Sequence, residues 1–402
     1  MNFSNVLYIL DKLFTIAALL EACKWTAFWV VTFFLPPILL GIIRKTKARL
    51  QGRIGASIVQ PLLDLIKMLR KGETLSVVAS WIFRSTSAIN FAVVLLIAIL
   101  TPWISFKPTV LEHLNFSQND QASGRSVSER SGKSSDSVGQ GAHANALPIK
   151  YMNINGMSVF SADSEESSAT AKIADDKFFG HSTTGSDIFL VIYMFAIARL
   201  FTVLAALDAG SVFGGFGASR EVTLALLVEP AIVLALASLG CVAQTSDLNA
   251  IFSWGAQAPI DGMPPLWIIA GIALFLASLV ELSRMPVDDP TTHLELTMVH
   301  EAMILENSGR NLALVEYTHL LKMTILLGLS GQCFLHGLAC FFSINHWLRD
   351  VLSLLILVIL SVSVAVIESL SVKLRWTKVP EFIAYSVAMS LLCTFIAIGV
   401  RH

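Results

Sequence analysis

Charged side chains set inside apolar runs are the residues of this sequence equipped to do chemistry. Glu229 lies deep in the run 223–244 beside Pro230, and Arg199 lies in the middle of the run 186–207. Asp208, Glu221, Glu281, Glu368 and Glu381 fall at or near the ends of such runs. A carboxylate in hydrocarbon costs several kcal/mol, so an acid there faces a cavity, pairs with a cation or keeps its proton. Glu229 and Arg199 are placed to pair across adjacent helices. Taken singly, Asp208, Glu221 and Glu381 read as solvated ends or caps. Taken together, carboxylates that open from a loop toward a buried glutamate describe a hydrated route on which protons are held and passed along.

Other chemistries fit less well. Cys23, Cys241, Cys333, Cys340 and Cys393 are scattered without a C-x-x-C pair. They read as small buried hydrophobes, not as a disulfide framework or a metal site. Pro290 followed by Thr292-x-x-Glu295 predicts a helix start with a capping box. On that helix His293 and His300 share a face, but seven residues separate them by about 10 Å, too far for one metal. Gly210, Gly214, Gly215 and Gly217 lack the G-x-G-x-x-G spacing and follow no strand, which predicts a tight packed loop and no nucleotide cradle. A net charge of -1 excludes the basic field of a nucleic-acid binder.

The elements that must hold these groups are membrane spans. Of 402 residues, 54% are hydrophobic and 14% charged, too apolar a balance for a soluble chain to cover its own surface. Runs long enough to cross a bilayer recur at about 25–43, 87–104, 186–207, 223–244, 265–281, 320–342, 350–369 and 380–400. The fold class is therefore all-α, a polytopic bundle of about eight spans. Residues 4–22 read as an interfacial segment or as the outer extension of a long first helix. No cleavable leader is indicated, because Asp11, Lys12, Glu21 and Lys24 interrupt the first apolar stretch.

Lysines and arginines gather in alternate loops: Arg44 to Arg84, then Arg220, Arg284 and Arg310, then Lys373 to Lys378. Those loops are expected to face the cytoplasm, with both termini outside. The segment 58–71 predicts an amphipathic surface helix with Leu62, Ile66 and Leu69 on one face and Asp64, Lys67 and Lys71 around the other. Trp103, Trp267 and Trp347 fall at span ends, as an aromatic belt requires. Ser, Asp, Gly and Asn dominate 107–185, which predicts a largely disordered external insert. The chain thus divides into 1–106, 107–185 and 186–402.

Several of these motifs carry a family resemblance. Phe195-Ala-Ile-Ala-Arg-Leu-Phe, Leu207-Asp-Ala-Gly-Ser-Val-Phe, Gly217-Ala-Ser-Arg-Glu and Leu227-Val-Glu-Pro resemble the respiratory-chain NADH dehydrogenase subunit-one family. Within it they are most similar to the membrane subunits of formate hydrogenlyase and energy-converting [NiFe] hydrogenases. The resemblance implies a place at the junction of membrane and peripheral arms. It implies that Asp208, Glu221, Glu229, Glu281 and Glu368 match acidic positions linking that junction to proton-pumping subunits. It also implies junction or chamber loops carrying Arg53, Gln60, Asp64, Arg220, Arg284, Asp288, Glu295 and Glu301. Two departures touch these loops: Ala56 stands where members have proline, and Pro286-Val287-Asp288 stands for Pro-Phe-Asp.

The resulting expectation is a membrane-anchor and coupling subunit of a complex I-like oxidoreductase in the cell inner membrane, with no redox centre or metal of its own. Implied partners are iron–sulfur peripheral subunits of hydrogenase or NADH-dehydrogenase type, holding [NiFe] or flavin, and antiporter-like membrane subunits. A quinone is the implied small-molecule ligand if the chain is instead the chamber subunit of an NADH–quinone oxidoreductase. A free-standing cation or proton transporter is the alternative from another class; the absence of matching broken segments in the two halves weighs against it.

Overall fold

The computed structural model describes residues 3–74, 79–105, 186–253, 263–288, 298–339, 341 and 345–401, and for 3–21 the backbone alone. The expected insert 107–185 lies outside these residues, as do His293, the capping box at Thr292 and Glu295.

Helix α1 (Phe3–Leu50) runs unbroken through 48 residues, about 72 Å at 1.5 Å per residue. Residues 4–22 are therefore the extension of the first span. Pro36 and Pro37 lie inside α1, as expected. Gly41 lets the returning loop touch the helix, since a Cβ there would sit 1.9 Å from the Ile58 carbonyl oxygen. The loop leads into α2 (Gln60–Leu69), which buries Pro61 and Leu65 against the bundle. On the face expected to be apolar, Ile66 and Leu69 are exposed, together with Leu63. Helix α2 thus presents an apolar face outward.

The remaining spans follow from their apolar length and their caps. Helix α3 (Trp81–Leu100) begins at Ser80, whose hydroxyl accepts from the Ile82 N–H at 3.1 Å. Helix α4 (Ile188–Asp208) begins at Asp187, which accepts from the Phe189 N–H at 3.0 Å. Helix α5 (Val212–Ala243) ends at Gln244 in the left-handed region with φ of 56°. Short α6 (Leu248–Ile251) is capped by Asp247. Then come α7 (Pro264–Glu281), the five-residue α8 (His300–Ile304), α9 (Gly309–Ala339), α10 (His346–Leu370) and, after a 3-10 turn at Trp376–Lys378, α11 (Val379–Arg401).

Eight stretches of these helices are long and apolar enough to cross a membrane, in the expected order. The chain is thus a multi-pass, all-α membrane protein, with no strand among the described residues. Helices α7 and α9 form the centre. The first packs on α5, α9 and α11, and the second on α1, α3 and α10.

Three expectations are corrected. Trp103 and Trp267 do not mark an interfacial belt: both are fully buried, and the Trp103 indole N–H donates to the Ala98 carbonyl at 2.9 Å. Their size fills the middle of the bundle, and only Trp347 of the three is exposed. The glycine run is not a loop, because α5 already starts at Val212 and only residues 209–211 separate it from α4. Glycine serves close helix approach there: a Cβ on Gly214 would lie 2.7 Å from the Ala206 carbonyl oxygen, and one on Gly217 would lie 2.8 Å from that of Val299. Finally, no helix runs through residues 298–299. The Asp288 carboxylate accepts the Val299 N–H at 2.8 Å and turns the chain there, so α8 starts at His300. The cysteines divide, with Cys333 and Cys393 buried and Cys23 exposed.

Candidate functional site

The charges expected inside the membrane meet at one point. Arg199, two and a half turns before the end of α4, reaches between α5 and α7 and ion-pairs with both Glu229 and Glu281. Its Nε lies 3.9 Å from Glu221, two turns before Glu229 on α5. Lys322 of α9 completes the group, its Nζ 2.7 Å from Glu281. Four helices thus contribute five charged side chains, three acidic and two basic. Glu221 and Glu281 are buried, whereas the Glu229 side chain is 35% exposed on the outer side of the bundle.

A cavity of about 50 Å³ opens beside this cluster. It is lined by Arg199, Glu221, Glu281 and Lys322, and on its far side by Asn90 and Thr202. The Asn90 amide donates to Thr202 at 2.8 Å while its Oδ1 is buried without a partner. A second cavity of about 120 Å³ lies toward the loops, lined by Arg44, Arg284, Asp288, Glu301, Glu316 and Glu368, among others. Both have room for ordered water and polar groups to hold it. A separate, mostly apolar space of about 30 Å³ shares Arg199 and Glu281 with the first cavity and is lined by Glu229 as well.

The second cavity is built from helix ends, from residues 282–288 after α7 and from α8. Glu368, near the end of α10, accepts from Arg284 at 3.2 Å and faces Lys47 of α1 at 3.4 Å. Asp288 takes Lys373 at 2.7 Å in addition to the Val299 N–H, so it locks the loop to the segment after α10. The Leu374 N–H, donating to the Pro286 carbonyl at 2.9 Å, adds a backbone tie. On the other flank Arg220 donates to the Met298 carbonyl at 3.2 Å and sits over the Trp376 ring.

Burial, reinforced by nearby Glu316, pushes the Glu301 carboxyl up to about 7 against the pull of Arg284 and Arg44. Burial, reinforced by the positive charges of Lys322 and Arg284, pushes the His300 imidazole down to about 4.

The structure sorts the expected site residues. Glu221, Glu229 and Glu281 come together through Arg199, and Glu368, Arg284, Asp288 and Glu301 form the adjoining cavity. Asp208 stands apart: its carboxylate accepts from the Ser80 N–H and hydroxyl, each at 2.8 Å, and from the Phe83 N–H at 3.3 Å, so it caps α3. Arg53 is exposed in the loop after α1. Gln60 donates to Asp64 at 2.9 Å on α2, remote from both cavities. Glu381 pairs with Lys378 at 2.6 Å on the surface, the solvated end expected of it. Glu295 lies outside the described residues.

Sequence reasoning missed Lys322, Glu316, His319 and Ser283. Lys322 carried a legible signal, a lysine two residues into the apolar run taken to begin at 320. In fact α9 starts at Gly309, which brings Glu316, His319 and Lys322 inside it.

Comparison with known proteins agrees with this geometry. The family model for NADH dehydrogenase matches residues 23–119 and 169–398. Hydrogenase-4 component C of Escherichia coli (strain K12) is 26% identical over 309 residues, 76% of this chain and 73% of that one. Formate hydrogenlyase subunit 4 of the same organism is 25% identical over 298 residues, 74% of this chain and 72% of its own. A chain in the structure of the membrane-bound sulfane sulfur reductase, an archaeal respiratory membrane complex, superposes with a TM-score of 0.59. It covers 94% of this chain and 99% of itself at 15% identity, which speaks to the fold. With the match to the family model spanning most of its length, the chain belongs to the NADH dehydrogenase family and is a membrane subunit of the complex I-like kind.

Proposed function

We propose that this chain is the membrane-anchor and coupling subunit of a hydrogenase-type oxidoreductase, linking electron transfer in peripheral partners to proton movement through the bilayer. Its similarity to a hydrogenase-4 component and a formate hydrogenlyase subunit supports the branch. The partners would be peripheral subunits carrying iron–sulfur clusters and a [NiFe] or flavin centre, with antiporter-like subunits alongside in the membrane. The alternation of basic loops favours the inner membrane with both termini outside.

The observation that carries the reading is the shared guanidinium of Arg199. It ties the partly exposed Glu229 to the buried Glu281 and stands within 4 Å of Glu221, so three carboxylates answer to one another's charge. With Lys322 the cluster holds two cations against three acids, one acid in excess, and it can lodge a proton. A charge change in the loop-side cavity shifts where that proton sits, since Coulomb interactions at these separations are poorly screened in the interior. Chemistry at the loops thereby reaches Glu229 without a helix having to move.

The test is Glu229→Gln in the assembled complex reconstituted in liposomes. Proton translocation should be lost while electron transfer in the partners stays measurable. Translocation at the wild-type ratio of protons to electrons would overturn the coupling role and leave an anchor.

A further inference from the structure

We propose that the stacked imidazoles of His300 and His319 are the proton-conducting partition between the loop-side cavity and the Arg199 cluster. The inference rests on the coupling function above and names the place where its route is joined.

Three described residues line both cavities: Ser283, His300 and His319. Among the described residues, these three are the wall that a proton passing directly between the cavities meets. The two rings stack with centroids 4.1 Å apart and planes 25° from parallel, His300 from the start of α8 and His319 from the third turn of α9. Serine alone cannot become a cation, but an imidazole binds a proton at one nitrogen and releases another from the opposite nitrogen. The Nε2 of His300 is buried and has no hydrogen-bond partner, an open position at the wall itself. A buried polar atom left unsatisfied is uncommon and marks a site that pays for a role.

Acids face the pair from both sides. On the loop side stand Glu301 and Glu316, with Asp288 and Glu368 beyond them. On the cluster side stand Glu221 and Glu281. The cations that bear on the rings are Lys322 and Arg199 from the cluster side, and Arg284, Arg44 and Lys47 from the loop side. They disfavour a standing imidazolium on His300, so a proton crosses the wall as a short-lived cation.

The transfer balances without any co-reactant. A protonated carboxyl on the loop side, Glu301 or Glu316, gives its proton to the bare nitrogen of an imidazole directly or through water and becomes a carboxylate. The imidazolium then releases its other N–H proton to Glu221 or Glu281 and is left as the opposite neutral tautomer. Rotation of the ring restores the starting state. Stacking means that one ring at a time carries the charge, because two adjacent cations at 4.1 Å would repel strongly.

The experiment uses the complete complex in liposomes with a pH-sensitive dye inside, driven by reduced methyl viologen, with electron transfer followed in parallel. His300→Asn and His319→Asn keep a neutral polar side chain that cannot carry a proton. Each should lower protons moved per electron by about 10-fold or more, since positioned acid–base groups contribute at least that much, while electron transfer holds within about twofold. Added imidazole should restore part of the loss. Unchanged coupling in both variants, or an equal fall in both rates without rescue, overturns the proposal. His300→Gln and His319→Gln replace any variant that does not assemble, and failure of assembly in all four makes the pair structural and also overturns it. Glu221→Gln, measured alongside, separates the two ideas. If it uncouples while the histidine variants do not, the relay falls and the coupling function stands; if none uncouples, both fall.

Discussion

Deleting the guanidinium of Arg199 challenges the charge cluster most directly. Arg199→Leu leaves Glu221, Glu229 and Glu281 with Lys322 as the one remaining cation of the cluster. Removing one partner of a buried ion pair costs about 3–5 kcal/mol, because the charge left behind stays in a poor solvent. The burden is unequal. Glu281 is 4% exposed but keeps Lys322 at 2.7 Å, and Glu229 is 35% exposed but keeps no cation within 4 Å among the described residues. Glu229→Gln in the Arg199→Leu background should therefore recover about 1–2 kcal/mol, the worth of relieving one unpaired group. Arg199→Lys should fall between, since an ammonium lacks the planar fork that reaches two carboxylates at once. Steric trapping of the purified chain in bicelles measures these unfolding free energies. The reasoning is refuted if Arg199→Leu costs under about 1 kcal/mol, the range of a surface pair. It is refuted too if the Arg199→Leu and Glu229→Gln effects add within about 0.5 kcal/mol, as independent sites do.

Three further outcomes are expected. Glu301 keeps its proton in the folded chain up to about pH 7 while the unfolded chain ionises from 4.5, so this group makes stability fall as pH rises across that window. The loss is at most about 3 kcal/mol; Glu301→Gln should flatten that slope in pH-dependent unfolding, and a slope equal to wild type would contradict the assignment. Asp208→Ala should lower the melting temperature by uncapping α3, with the proton-to-electron ratio unchanged in liposomes. A changed ratio at an unchanged melting temperature would instead return Asp208 to the proton path. Gly217→Leu should separate α5 from α8, where the added Cβ would already lie 2.9 Å from Met303 Cγ, at a cost of about 1–3 kcal/mol. Wild-type thermal stability in that variant would show the contact to be slack.

The spans, their order and the Arg199–Glu229 pair were legible because each rests on one rule, that hydrocarbon rejects charge and unsatisfied backbone. What escaped depends on which way a helix is rotated. Lys322 and Glu316 are separated by six residues and sit in different cavities, a difference of helix face that an apolar run does not encode. Asp208 shows the reverse. Its position at a span end fits a proton path and a cap equally well, and the bonds from Ser80 and Phe83 that make it a cap come from a segment far away in sequence. Glycine was misread for a related reason. The same absence of a Cβ that permits a loop also permits α5 to touch Val299, and the sequence does not show which neighbour fills the space.

The stretch 282–288 after α7, with residues 298–299 ahead of α8, lies among the ends of the neighbouring helices. Its Ser283, Arg284 and Asp288 line the cavities themselves, and α8, which follows it, supplies His300 and Glu301. The same stretch is fastened outward by Lys373 on Asp288, by Leu374 on Pro286 and by Arg220 on Met298. These ties join the helix ends of α5, α7 and α10 into one unit around the loop. A displacement at any of them changes the distance from Arg284 to Glu368, now 3.2 Å, and so the charge balance of the loop-side cavity. Since Coulomb energy varies inversely with distance and is largest where water is scarce, a shift of about 1 Å there alters proton affinity more than a larger movement at the exposed α2 would. Fixed contacts run among the described residues from Lys373 through Asp288 to Val299, and Ser283, His300 and His319 stand between the loop-side cavity and the Arg199 cluster.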